Sequence, residues 1–247
     1  MPAEPGANPI PTSAFELDPW VDAGKLAPIF ARTGRMHIPG VLAPAGAEAL
    51  HRHLSQEVPW SLVVHDGERV REAKPELRRQ YGEELDQNLR DEAYGSASDR
   101  FQFLYEYCSV APARGGVPSS LLTQFLQFLN SPPFIRFARE LTGRAAIDWA
   151  DGQATCYRAG HFLTQHDDSA ANQKREAAYV FNFTPTWKAD WGGLLQFIDA
   201  DGHVAEAYTP RFNALNIFTV PQLHCVSAVA PFVPASRYAI TGWLRAR

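Results

Sequence analysis

The chain has 247 residues, 45% of them hydrophobic and 20% charged, with a net charge of −4. That length and apolar content suit one domain with a sizeable core, and the slight acidic excess argues against a general nucleic-acid binder, which carries a basic surplus. Cys108, Cys156 and Cys225 form no CxxC pair, no apolar run approaches the roughly 18 residues of a membrane span, and the first twenty residues lack a signal-peptide pattern. The expectation is a soluble cytoplasmic protein with reduced thiols, no zinc ribbon and no membrane partner.

Pro2, Pro5, Pro9 and Pro11 crowd the start, and residues 1–18 read as a loose tail. VDAGKLAPIFARTG reads as a helix, MHIPGVL as a strand and turn, and APAGAEALHRHLSQ as a helix whose Ala47, Leu50 and Leu54 share one face. Residues 65–100 are the most charged part, and AKPELRRQYGEELDQNLRDEA reads as a solvated helix. The segment of about 60–116 is taken as a substrate-side insert, since long connections often carry function. Its Arg69, Arg71, Arg78, Arg79 and Arg90 balance neighbouring acids or meet an anionic substrate, the first being preferred.

FQFLYEY alternates like a strand. SSLLTQFLQFLN reads as a helix capped by Ser119 or Ser120, and PPFIRFARELTG as one opened by proline and closed by Gly143. After residue 145 the texture changes to short β-branched and aromatic runs: AIDWA, QATCYRA, FLTQHDD, AAYVFNFT, GLLQFID, ALNIFTV, HCVSAV and RYAITGWL. Such runs, parted by turn residues, indicate a sandwich or barrel. With no visible linker, residues 19–247 are expected to form one α+β domain, mainly β in its core, with N-terminal helices packed on the sheet.

HFLTQHDD at 161–168 raises the functional question. If it is a strand, His166 and Asp168 point to one face and Asp167 away. An imidazole and a carboxylate then offer two neighbouring ligands to a divalent metal. His224, at the start of HCVSAV, is the best third, with His161 a competitor and His203 placed in a turn. Two histidines and a carboxylate on one face of a metal leave positions open, an arrangement typical of non-haem Fe(II) oxygenases. The alternative is a polar turn that binds nothing. Arg237 opens the alternating run RYAITGWLR, sharing a face with Ala239, Thr241 and Trp243. A cation in an apolar strand needs a partner: a dicarboxylate ligand gripped bidentately, with Thr241 adding a hydroxyl, or an internal acid.

The ordered set of Tyr157, His166-x-Asp168, Tyr179, WGG at 191–193, His224 and RYAITGW at 237–243 resembles the prolyl-hydroxylase-like branch of the 2-oxoglutarate- and Fe(II)-dependent dioxygenases. The likeness spans about residues 150–245. It implies a double-stranded β-helix, or jelly roll, over about 101–245, flanked by helices. It implies Fe(II) held by His166, Asp168 and His224, with 2-oxoglutarate meeting Arg237, Tyr157, Tyr179 and Thr241. O2 would be the second co-substrate, and the resemblance leaves room for ascorbate. Trp187, Trp191 and Trp243 would border the substrate. The substrate would carry a prolyl or other amino-acid side chain, free, in a peptide or in a protein.

Two departures stand out. APFVPAS lengthens the interval between His224 and Arg237, and Asp168 is present where halogenating relatives carry a small residue, which favours hydroxylation. The competing readings are a cupin-like barrel that binds metal or a small acid without turnover, a structural β-sandwich, and redox control through Cys225, for which a buried inert thiol is the preferred account.

Overall fold

A computed structural model describes residues 15–65, 67–111, 120–169 and 173–247. Among these residues five α-helices form where the sequence supplies caps and apolar faces. The first, α1 (Ala23–Phe30), is capped by the Asp22 side chain, which accepts from the Lys25 N–H. Proline opens α2 (Pro44–Gln56), which buries Ala47, Leu50 and Leu54. The charged α3 (Pro75–Ser96) breaks at Gly82, whose φ of 60° is left-handed. Ser120 caps α4 (Leu121–Leu129), and α5 (Pro132–Thr142) ends on left-handed Gly143.

Among the described residues thirteen strands join in one antiparallel, strongly wrapped sheet. They are β1 (Arg35–Pro39), β2 (Ser61–His65), β3 (Val70–Ala73), β4 (Phe103–Ser109), β5 (Trp149–Ala150), β6 (Gln153–Tyr157) and β7 (Phe162–His166), followed by β8 (Arg175–Asn182), β9 (Leu195–Ile198), β10 (Val204–Tyr208), β11 (Ala214–Thr219), β12 (His224–Val226) and β13 (Arg237–Arg245). The order β1-β11-β8-β13-β6-β4 makes one wall, and β7-β12-β9-β10 makes the other. Pairing of Phe103 with Leu163 and of Leu104 with Phe162 joins them. This is a nearly closed jelly roll, the double-stranded β-helix that the motif set implies.

Side-chain alternation assigns the two faces of the first wall. Along β8 and just beyond it, Ala177, Tyr179, Phe181 and Phe183 point outward into the helical layer with Phe125 and Phe134. Ala178 and Val180 point into the barrel with Leu195, Phe197 and Phe218. The outer core is therefore sheet against helix, and the inner core lies between the walls.

Two expectations change here. Residues 15–18 are not loose: Phe15 is buried against Phe125, with ring centroids 5.1 Å apart, and Leu17 bridges Leu42. Residues 1–14, residues 112–116 of the insert and Ser119 lie outside the described residues. The charged stretch is not helix alone, because β2 and β3 form a hairpin that β2 attaches to β4. Among the described residues no helix is long and apolar enough to cross a membrane.

Candidate active site

His166 ends β7 and His224 begins β12, and the two residues are directly paired across the antiparallel ladder. Their ring centroids lie 4.1 Å apart. The His166 Nδ1 donates to the Thr164 carbonyl at 2.9 Å, and the His224 Nδ1 donates to the Gln222 carbonyl at 2.7 Å. Each ring thus keeps its Nε2 lone pair for the site, a tautomer fixed by the backbone. Those Nε2 atoms stand 3.5 and 3.6 Å from the two carboxylate oxygens of Asp168. All three ligand atoms fall within 4.8 Å of one another. Three facing acceptors have no donor between them, so the donor set fits a divalent cation such as Fe(II).

Burial acts to raise the Asp168 carboxyl, and the neighbouring His166 and His224 imidazoles more than offset it, leaving it below its ordinary value. His224 is pushed down to about 4, first by burial and then by His166, so its imidazole is neutral at ordinary pH.

The route to this triad differs from the strand argument. β7 stops at His166, and Asp168 lies beyond it with φ of 62°, in the left-handed region. Turning the backbone, rather than a two-residue strand repeat, aims its carboxylate at the histidines, while Asp167 is exposed. Arg175 secures the turn by donating to the Asp168 carbonyl at 2.8 Å. The guanidinium of Arg175 lies on the Trp243 ring at 3.6 Å. Asp151 completes the support by accepting from the Trp243 N–H at 2.7 Å and pairing with Arg245. Neither Arg175 nor Asp151 was anticipated. The available signal was a cation opening the apolar run AAYVFNFT.

The triad opens onto a cavity of about 570 Å³ between the walls. Arg237 lies in it, 3% exposed, with its Nε and one terminal nitrogen buried and without a hydrogen-bond partner. Its guanidinium sits 5.0 Å from the Tyr157 ring, which stacks on Tyr105. Burial lowers the Arg237 pKa, and Tyr157 acts in the opposite direction. Burial also pushes the Tyr105 hydroxyl up to about 12. Thr241 and Trp243 line the same cavity. The insert contributes Val70, Phe101, Phe103 and Tyr105 to it, forming an aromatic wall that runs from the exposed Phe101 inward.

Other expected residues lie elsewhere. Tyr179 is buried on the outer face of β8, where its hydroxyl donates to the Asp151 carbonyl at 2.5 Å. Strand parity places it there, and Ala178 and Val180 face the cavity instead. Trp187 and Trp191 pack edge-to-face on each other, beside Val229 and Val233, and do not line the cavity. His161 is buried beside Arg158, away from the triad, and His203 lies beyond the Asp201–Gly202 turn. Gly192 cannot carry a Cβ, which would sit 2.0 Å from the Ala228 carbonyl oxygen. Arg71, Arg78 and Arg79 pair with insert acids, whereas the Arg90 Nε is buried without a hydrogen-bond partner.

Residues 152–245 match the model of the 2OG-Fe(II) oxygenase superfamily. No curated protein matches the sequence. Among solved structures, a Pseudomonas putida prolyl-4-hydroxylase is similar with a TM-score of 0.58 and 16% identity, over 92% of this chain and 100% of that one. A Trichoplax adhaerens prolyl hydroxylase, in complex with a hypoxia-inducible-factor peptide fragment, gives 0.55 and 16% over 91% and 89%. The α-ketoglutarate-dependent epimerase SnoN from nogalamycin biosynthesis gives 0.54 and 14% over 92% and 83%. The match to the 2OG-Fe(II) oxygenase superfamily thus lies over residues 152–245, and the jelly roll is one that the chain shares with prolyl hydroxylases and other oxygenases of solved structure.

Proposed function

We propose that this protein is a dioxygenase that hydroxylates an aliphatic C–H, on a prolyl or other amino-acid side chain, free or within a peptide or protein. The balanced reaction consumes 2-oxoglutarate, O2 and R–H and yields succinate, CO2 and R–OH. His166, Asp168 and His224 would hold Fe(II), which supplies O2 activation when bound. The observation that carries the reading is Arg237, a buried cation with two unpaired donors in the same cavity as three facing acceptors. A dicarboxylate bridging the two satisfies both.

Each side chain then has a defined task. Arg237 binds the distal carboxylate of 2-oxoglutarate, and the Tyr157 ring holds the guanidinium in place. The Thr241 hydroxyl is available to the same carboxylate. Arg175, stacked on Trp243, keeps Asp168 turned toward the histidines. Phe103, Tyr105 and Leu163 exclude water from the inner part of the cavity. The exposed Phe101 and Val70 offer an apolar rim to the substrate's ring or chain. The hairpin that carries Val70 supports the view of 60–116 as the substrate-side insert.

The test is succinate formation from 2-oxoglutarate over a panel of amino acids and peptides, alongside anaerobic Fe(II) titration. One substrate class should stimulate turnover, and His166→Ala and Asp168→Ala should abolish both metal binding and turnover. Unchanged turnover in these variants defeats the ligand assignment. A visible band on adding Fe(II) and 2-oxoglutarate, without succinate from any substrate, favours the binding-module reading.

A further inference from the structure

Along β4 the side chains alternate, so Phe103 and Tyr105 face the cavity and Glu106 faces the opposite side of the sheet. Glu106 is 2% exposed, which is unusual for a carboxylate in mid-strand. Each of its oxygens has its own guanidinium. One accepts from a terminal nitrogen of Arg78 at 2.8 Å, and the other accepts from the Arg158 Nε at 2.7 Å.

The two arms lead to different places. Arg78 belongs to α3, where it also forks onto Asp86 at 2.6–3.1 Å and donates to the Trp60 carbonyl. Arg158 directly follows Tyr157 and donates to the Ser236 hydroxyl at 3.1 Å. Ser236 directly precedes Arg237, and Arg237 is the register partner of Tyr157. Thr184 clasps the same strand start, donating to the Ser236 carbonyl and accepting from the Tyr238 N–H. The cation–π pair at the inner end of the cavity is therefore bracketed from behind by Arg158 and Ser236, and Glu106 fixes Arg158.

Apolar residues of similar volume could fill such a place without loss of stability. What the ionic arrangement adds is direction, since a two-pronged carboxylate holds two guanidiniums at set angles. We propose that Glu106 is a positioning residue for the co-substrate pocket: through Arg158 and Ser236 it sets the placement of Arg237 against Tyr157, while its bond to Arg78 holds the insert helix to the sheet and serves stability alone. The inference rests on Arg237 as the anchor for 2-oxoglutarate.

The experiment compares Glu106→Gln, Arg158→Met and Arg78→Met with wild type in the full chain loaded with Ni(II). 2-Oxoglutarate affinity is read by calorimetry, and KM and kcat by succinate formation with Fe(II). Glu106→Gln and Arg158→Met should each raise Kd and KM by about tenfold, the weight of one charge-assisted hydrogen bond, with kcat at saturation and Ni(II) affinity held. Arg78→Met should lower the melting temperature yet leave Kd near wild type. Arg158 is half-exposed, so its variant should fold even if Glu106→Gln does not. Unchanged Kd in the Arg158 variant, or equal weakening in the Arg78 variant, overturns the proposal and leaves Glu106 as a structural tie. If wild type binds no 2-oxoglutarate, both this inference and the reading of Arg237 fall; if only Arg237→Met loses binding, this inference alone falls.

Discussion

Replacing Arg237 with methionine should move folding stability and co-substrate affinity in opposite directions. The guanidinium is 3% exposed, and two of its nitrogens have no partner. In the co-substrate-free protein it is a desolvated cation faced by the Tyr157 ring but with two nitrogens lacking hydrogen-bond partners, so an apolar replacement of similar length should stabilise the fold by about 1 to 4 kcal/mol. At roughly 2 to 4 °C per kcal/mol for a chain of this size, the melting temperature should rise by several degrees. Loss of two charge-assisted hydrogen bonds to a carboxylate removes about 3 to 6 kcal/mol of binding, or roughly 10² to 10⁴ in Kd. The assay is thermal unfolding of wild type and variant, each loaded with Ni(II), with and without millimolar 2-oxoglutarate. Wild type should gain stability from the ligand by mass action, and the variant should start higher and gain nothing. A variant that melts below wild type and still responds to 2-oxoglutarate would refute the argument from unpaired donors.

Tyr179→Phe should cost about 1 kcal/mol by removing the bond to the Asp151 carbonyl, and steady-state kinetics should show no change in KM for 2-oxoglutarate; a raised KM would return Tyr179 to the pocket. Gly192→Ala should destabilise by several times the roughly 1 kcal/mol expected of Gly202→Ala, because both have positive φ but only Gly192 meets backbone at 2.0 Å. Urea midpoints compare the two. His161 is buried beside Arg90, Arg158 and Glu106, and burial pushes its pKa down to about 4. Against an unfolded value near 6.5, its contribution is present above that pH and is lost as the pH falls, by about 2 kcal/mol at pH 5 and about 3 at pH 4. Urea unfolding of His161→Gln should show a shallower loss between pH 7 and 4.5; an identical slope would contradict the assignment.

Much of the site was legible because its chemistry conflicts with its setting. Arg237 in an apolar strand has to answer to something, and residues of the HxD type and a later histidine on neighbouring strands can meet across a ladder, as His166 and His224 do. The helices were legible from their caps, Ser120 and Gly143 among them. Residues whose placement rests on parity or backbone hand were not. Tyr179 is one strand position from the cavity, and only the register of β8 against β13 decides its face. Asp168 reaches the histidines through a left-handed turn that a two-residue repeat does not anticipate. The β2–β3 hairpin is hidden because β3 is short, charged and mostly exposed, without alternation to mark it. Arg175 acts on a backbone carbonyl, a contact that leaves no spacing signature.

The left-handed backbone at position 168 also shapes what can replace its carboxylate. An L-residue held there bears roughly 1–2 kcal/mol of steric penalty, least for aspartate and asparagine, and glycine bears none. Deleting the side chain altogether would therefore relax the main chain at the very point where it removes a proposed ligand. Of the three proposed ligand positions, 168 is the one where a step toward altered coordination strains the backbone least, and a single nucleotide change, aspartate to glycine, takes it.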